Sequence, residues 1–119
     1  MDWKLSDDRP IWLQLSQQLA RRIVTGIYPP GSRLPSVREL AAAAGVNPNT
    51  MQRALAQLEQ DGLAKADRTA GRLVTQDTTI LEAVRTAEAQ IVINQYFDAM
   101  AELSYSQQEA ALLLREELK

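Results

Sequence analysis

Apolar residues recur at four-residue steps from Ile11 through Leu15, Leu19 and Ile23 to Ile27, with Trp12 and Val24 beside them. This spacing predicts a first helix over residues 10–27. Gly26 and the run Pro29-Pro30-Gly31 end it and force an extended connection. Pro35 then delivers the chain to Ser36, where a second amphipathic pattern begins with Val37, Leu40, Ala41 and Ala44 on one face. Ser36 is followed three residues later by Glu39, the reciprocal pair that satisfies a helix N-terminus, and Gly45 closes the element. Asn47 offers a side-chain oxygen to a third helix, and Pro48 occupies its first position, where a missing N–H costs nothing. Two short helices over about 36–61, joined by a glycine turn and closed by Asp61-Gly62, form a helix-turn-helix.

After Gly62 the pattern changes. Residues 63–67 and 72–75 read as two short strands around a tip of Thr69, Ala70 and Gly71. Thr79 to Glu82 is a further capping pair, predicting a long helix over 79–103. One apolar stripe is expected along it, including Ile80, Leu81, Val84, Ala87, Ile91, Val92, Tyr96, Ala99, Met100 and Leu103. Tyr105 and Ser106 mark a break, and Ser106 to Glu109 caps a last helix carrying Ala110, Ala111, Leu113, Leu114 and Leu118. The expected architecture is mainly α with a small β-hairpin. Residues 1–76 would form a winged helix-turn-helix and residues 77–119 a helical tail. Two amphipathic helices in so short a tail cannot make a core of their own. Their apolar residues need a partner, and a second copy of the chain is the expected one. The expected dimerisation residues are Ile80, Leu81, Val84, Ile91, Val92, Tyr96, Met100, Leu103, Leu113 and Leu114.

The two faces of the third helix separate at 100° per residue. Met51, Ala54, Leu55 and Leu58 share a sector that should face the core. Opposite them lie Asn49, Gln52, Arg53, Ala56 and Gln60, flanked by Thr50 and Gln57. Amides pair bidentately with adenine, arginine with guanine, and the methyls of Ala and Thr meet a thymine methyl. The second helix of a helix-turn-helix can lie in the major groove, so this amide-rich face is a candidate reader of DNA. Arg68 and Arg72 flank the hairpin tip, where arginine can meet phosphate or the minor groove.

Charge sharpens this division. Residues 1–75 carry ten Lys/Arg against seven Asp/Glu, whereas residues 76–119 carry three against eight. Only the first part is suited to approach phosphate. The chain has no cysteine and no histidine, which removes disulfides, thiol and imidazole catalysis, and any Cys/His zinc site. No carboxylate pair or nucleotide loop stands out, so an enzyme is not expected and no cofactor is implied. No signal-peptide pattern and no apolar run of membrane-spanning length is present, so a cytoplasmic protein is expected.

Several runs carry a family resemblance: Pro10-Ile-Trp-x-Gln14, Gly26-Ile-Tyr-x-Pro-Gly31, Leu34-Pro-Ser-x-Arg-x-Leu-Ala41, Gly45-Val46, Thr50, Arg53-Ala54 and Leu58-Glu-x-Asp-Gly62. Together they resemble the DNA-binding domain of GntR-family bacterial transcription regulators, over about residues 10–75. Two short helices in place of a large metabolite-binding domain resemble the small YtrA-like branch, described as dimeric repressors that often control ABC-type transporter operons. The resemblance implies that Arg38 contacts phosphate and base. It also places Asn47, Asn49, Thr50 and Arg53 at recognition-helix positions and Gly71 at the wing tip. The chain departs from the family pattern twice, with Thr69-Ala70-Gly71 in place of Gly-x-Gly and with Pro48 at a position some relatives use for contact. The candidate DNA contacts are thus Ser36, Arg38, Asn47, Asn49, Thr50, Gln52, Arg53, Arg68, Thr69, Gly71 and Arg72. The leading expectation is a homodimeric repressor on an inverted-repeat operator of double-stranded DNA. Two other readings stay open. One is a ligand-gated sensor, in which Asn94, Gln95, Tyr96 and Tyr105 help line a small-molecule effector site between the tail helices. The other is a winged helix that binds only protein.

Overall fold

The computed structural model describes residues 2–119. In chain order come α1 (Ile11–Val24), α2 (Val37–Ala44), α3 (Pro48–Gln60), β1 (Ala64–Asp67), β2 (Gly71–Val74), α4 (Thr78–Glu102) and α5 (Gln107–Glu117). The strands pair antiparallel with Ala64 opposite Val74 and Asp67 opposite Gly71. This is a winged helix-turn-helix followed by two helices. Two compact units divide between Arg85 and Thr86, so the first two turns of α4 belong to the first unit.

The core of the first unit collects Leu15, Leu19 and Ile23 of α1, Leu40 and Ala41 of α2, and Met51, Ala54, Leu55 and Leu58 of α3. Leu63, Ala64 and Val74 close it from the hairpin side. The helix boundaries follow local chemistry. α1 ends earlier than its apolar spacing predicts, because Gly26 adopts φ +83 and Thr25 caps the Arg21 carbonyl through N–H and hydroxyl. Ile27 therefore lies beyond the helix and is exposed. The Ser36–Glu39 capping box is formed in both directions, and left-handed Gly45 turns the chain into α3.

Two glutamines on α1 bind the segment that precedes it. Gln14 is buried; its Oε1 accepts from the Ser6 N–H at 2.8 Å, and its amide donates to the Ser6 and Arg9 carbonyls at 2.8 Å each. One turn on, Gln18 makes the same two-way contact with the Lys4 backbone. Trp3 and Leu5 are thereby packed against the core, and the Arg22 guanidinium lies 3.7 Å over the Trp3 ring.

The start of α4 corrects the expected cap. Asp77, not Thr79, supplies the capping oxygen, its Oδ1 accepting from Thr79 N–H at 2.9 Å. Ile80, Leu81 and Val84 pack against the core of the first unit. Part of their apolar surface is thus used within the chain. The expected single stripe is also corrected. Ile91, Val92 and Ile93 are consecutive and all exposed, so at 100° steps they wrap more than half of the helix.

In the second unit α4 ends in a Schellman motif, with Tyr105 N–H bonded to the Met100 carbonyl and Ser104 N–H to that of Ala101. Ser104 holds φ +70, a conformation usually left to glycine. Ser106 and Glu109 then cap α5 reciprocally. The Ser106 backbone N–H and then its hydroxyl hold the Glu109 carboxyl below its ordinary pKa. Tyr96 donates its hydroxyl to the Ala110 carbonyl at 2.7 Å, pinning α5 onto α4 with Ala110 buried beneath. Part of Tyr96 is thus engaged inside the chain.

Candidate nucleic-acid interface

The helix-turn-helix presents its polar residues as the helical wheel requires. Met51, Ala54, Leu55 and Leu58 are buried, while Asn49, Gln52 and Arg53 are exposed and Thr50 is half-buried. Asn47 caps α3 by accepting the Asn49 N–H at 2.7 Å through Oδ1. Its amide donors remain outside that bond. Ser36 is similarly occupied as an acceptor, taking the Glu39 N–H at 3.1 Å, so its hydroxyl offers a donor beyond the helix end. Arg38, near the start of α2, is exposed.

The hairpin joins this surface through a third extended segment. Gly31 N–H bonds the Val74 carbonyl, Val74 N–H the Ser32 carbonyl, and Leu34 N–H the Arg72 carbonyl, all within 2.8–2.9 Å. Arg33 is thereby bridged to Leu73 at the open edge of β2, exposed, with its Nε beside Gly71. A cleft of about 340 Å3 between the hairpin and the start of α2 gathers Arg33, Ser36, Val37, Ala66, Gly71 and Arg72. Arg33 is a cation that motif reasoning passed over. Its signal was weak, since only the strand pairing reveals that a residue before Leu34-Pro35 reaches the wing.

The tip is held by one carboxylate. Asp67 Oδ1 accepts the Thr69 N–H at 2.9 Å, the Thr69 hydroxyl at 2.9 Å and the Ala70 N–H at 3.0 Å. These donors, the Ala70 and Thr69 backbone first and the Thr69 hydroxyl next, hold the Asp67 carboxyl below its ordinary pKa. Gly71 leaves the turn at φ +83, and Arg68 and Thr69 are exposed. The tip is therefore shaped by an Asx-type turn and a single glycine, where the family pattern uses two.

Two arginines are not simple outward charges. Arg72 Nε sits 2.5 Å from Glu59 Oε1, both partly shielded from solvent. That ion pair ties β2 to the last turn of α3, so in the single chain Arg72 braces the wing. Arg53 lies with its Cζ 4.1 Å over the Trp12 ring of α1.

This geometry is matched by known proteins. The model for bacterial regulatory proteins of the gntR family matches residues 12–74. The chain belongs to the gntR family. It is a transcriptional regulator with a DNA-binding winged helix. It is 32% identical to the HTH-type transcriptional regulator YhcF of Bacillus subtilis, itself uncharacterized, over 92% of this chain and 90% of that protein. The HTH-type transcriptional repressor YtrA of the same organism is 39% identical over 65% of this chain and 61% of its own length. Among solved structures, a GntR family transcriptional regulator from Listeria monocytogenes superposes with a TM-score of 0.81 at 31% identity, covering 94% of this chain and 98% of that one. At 94% of this chain, the last likeness reaches beyond the winged helix into the tail.

Proposed function

We propose that the chain is a homodimeric repressor whose tail helices pair two copies, so that two α3 helices enter major grooves of an inverted-repeat operator. The observation that carries the pairing is the apolar surface of the tail. Ile91, Val92, Ile93, Leu103, Leu112, Leu113, Leu114 and Leu118 are all exposed in the single chain. A helix apolar around most of its circumference belongs in the interior of a larger assembly. No helix among the described residues is long and apolar enough to cross a membrane, which leaves protein as the natural cover. Val92, Met100, Leu103, Leu113 and Leu114 are the proposed contacts, with Ile91 beside them; Ile93 and Leu112 join them on exposure.

Base reading falls to Asn49, Gln52 and Thr50. Positioning on phosphate falls to Ser36, Arg38, Asn47 and Arg33, and the wing tip of Arg68, Thr69 and Gly71 reaches toward the neighbouring groove. The resemblance to the repressor YtrA supports repression as the output. The chain acts by binding, not catalysis, in the cytoplasm. Selection of duplexes from a random pool, with affinity then followed against salt, tests this reading. Tight selected sequences and a log–log salt slope of roughly −0.9 per phosphate contact are expected. Salt-insensitive, negligible affinity would instead favour a winged helix that binds protein.

A further inference from the structure

Trp12 lies in the first turn of α1, outside the helix-turn-helix, and its half-buried ring carries the Arg53 guanidinium at 4.1 Å. Arg53 projects from α3 beside Asn49 and Gln52, and no hydrogen bond or ion pair engages it among the described residues. We infer that Trp12 is a positioning residue for DNA recognition, holding Arg53 ready for the operator. This inference rests on the DNA-binding reading of α3.

A guanidinium is planar, and its five N–H donors lie in that plane while its faces carry no donors. Stacking on an indole occupies a face and leaves the donors to meet a phosphate or the O6 and N7 of guanine. A free arginine would surrender its rotamer freedom on binding. One already laid on a ring has given up much of it beforehand, which is preorganisation. The contrast with Arg72 supports this. Arg72 is held by Glu59, which consumes donors and neutralises charge, whereas the ring holding Arg53 does neither. Asp61, the carboxylate that follows α3, is paired with the Gln57 amide instead of Arg53.

The test is a double-mutant cycle on affinity for the selected operator, with thermal midpoints read in parallel. Trp12→Leu should weaken binding roughly three- to tenfold, within the range that ordering one rotamer-rich side chain on binding costs. In an Arg53→Ala background the same change should have almost no effect, and Trp12→Phe should retain most of the affinity. An equal loss in both backgrounds, or none in either, overturns the inference. Proton NMR of the wild-type chain covers the case in which Trp12→Leu does not fold. The Arg53 side-chain protons should be shifted upfield by the indole and stay so on the operator. Loss of that shift on binding would mean the arginine leaves the ring to reach DNA, and Trp12 would not be a positioning residue. A wild-type chain that selects no DNA would overturn the DNA reading first, and this inference with it.

Discussion

The unit that ends at Arg85 and the unit Thr86–Lys119 spend their apolar residues in opposite ways. Among the described residues, every buried apolar side chain except Ala110 lies in the first unit. In the second, nine large apolar side chains from Ile91 to Leu118 stay exposed although both helices are well capped. Local helix signals and a completed core are thus separate achievements. The Asp77 cap, the Ser106–Glu109 capping box and a Schellman motif stabilise α4 and α5 as helices, but burial contributes more, at about 25 cal/mol per Å2 of apolar surface. The first unit is finished within one chain, whereas under the proposed pairing the second is finished by another copy.

The largest effect that sharpens this contrast belongs to the core. Leu55→Ala, at a fully buried position, should cost about 2–5 kcal/mol in urea unfolding. A change on the scale of a surface substitution would mean the first unit does not unfold around a single cooperative core. Second in size is the tail: Ile93→Asp should dissociate the dimer in sedimentation while leaving helical circular dichroism of the winged helix intact. Unchanged mass would remove Ile93 from the interface.

Next comes recognition. Asn49→Ala should cost about 1–3 kcal/mol on the selected operator and relax the preference at one base pair. A loss equal on all sequences would make Asn49 a backbone contact. The wing tip is pH-sensitive in a defined direction. Because Asp67 is held below its ordinary pKa, its contribution is complete above the unfolded carboxylate value and fades as pH falls through the depressed one. Amide exchange at Thr69 and Ala70, taken relative to the intrinsic rate at each pH, should therefore be slowed most at neutral pH and rise as Asp67 is protonated in acid. Asp67→Ala should raise it at neutral pH. The smallest effect is a gain: Ser104→Gly relieves a left-handed residue and should stabilise the tail by up to about 1 kcal/mol in thermal melts.

Much of this was legible before the structure. The α2 and α3 boundaries and the buried face of α3 follow from capping residues and a 3.6-residue period, signals that act over one or two turns. The parts that local signals leave hidden depend on contacts distant in sequence. Gln14 and Gln18 look like polar interruptions of a helix face until the preceding backbone is seen folded onto them. Glu59 and Arg72 are thirteen residues apart, and only hairpin register brings them together. Ile80, Leu81 and Val84 continue the apolar pattern of the tail, and spacing alone does not reveal which core they join. For the candidate interface, residue type pointed to the exposed face of α3, while the support beneath it, Trp12 under Arg53 and Asp67 under the tip, emerged from the fold.

Sedimentation equilibrium of the full chain at micromolar concentration tests the contrast between the two units most directly. A species of twice 13.3 kDa is expected, dissociating when Ile93 and Leu113 are both changed to Asp. A stable monomer at that concentration, with its tail helices fully formed, would contradict a tail built for a second copy.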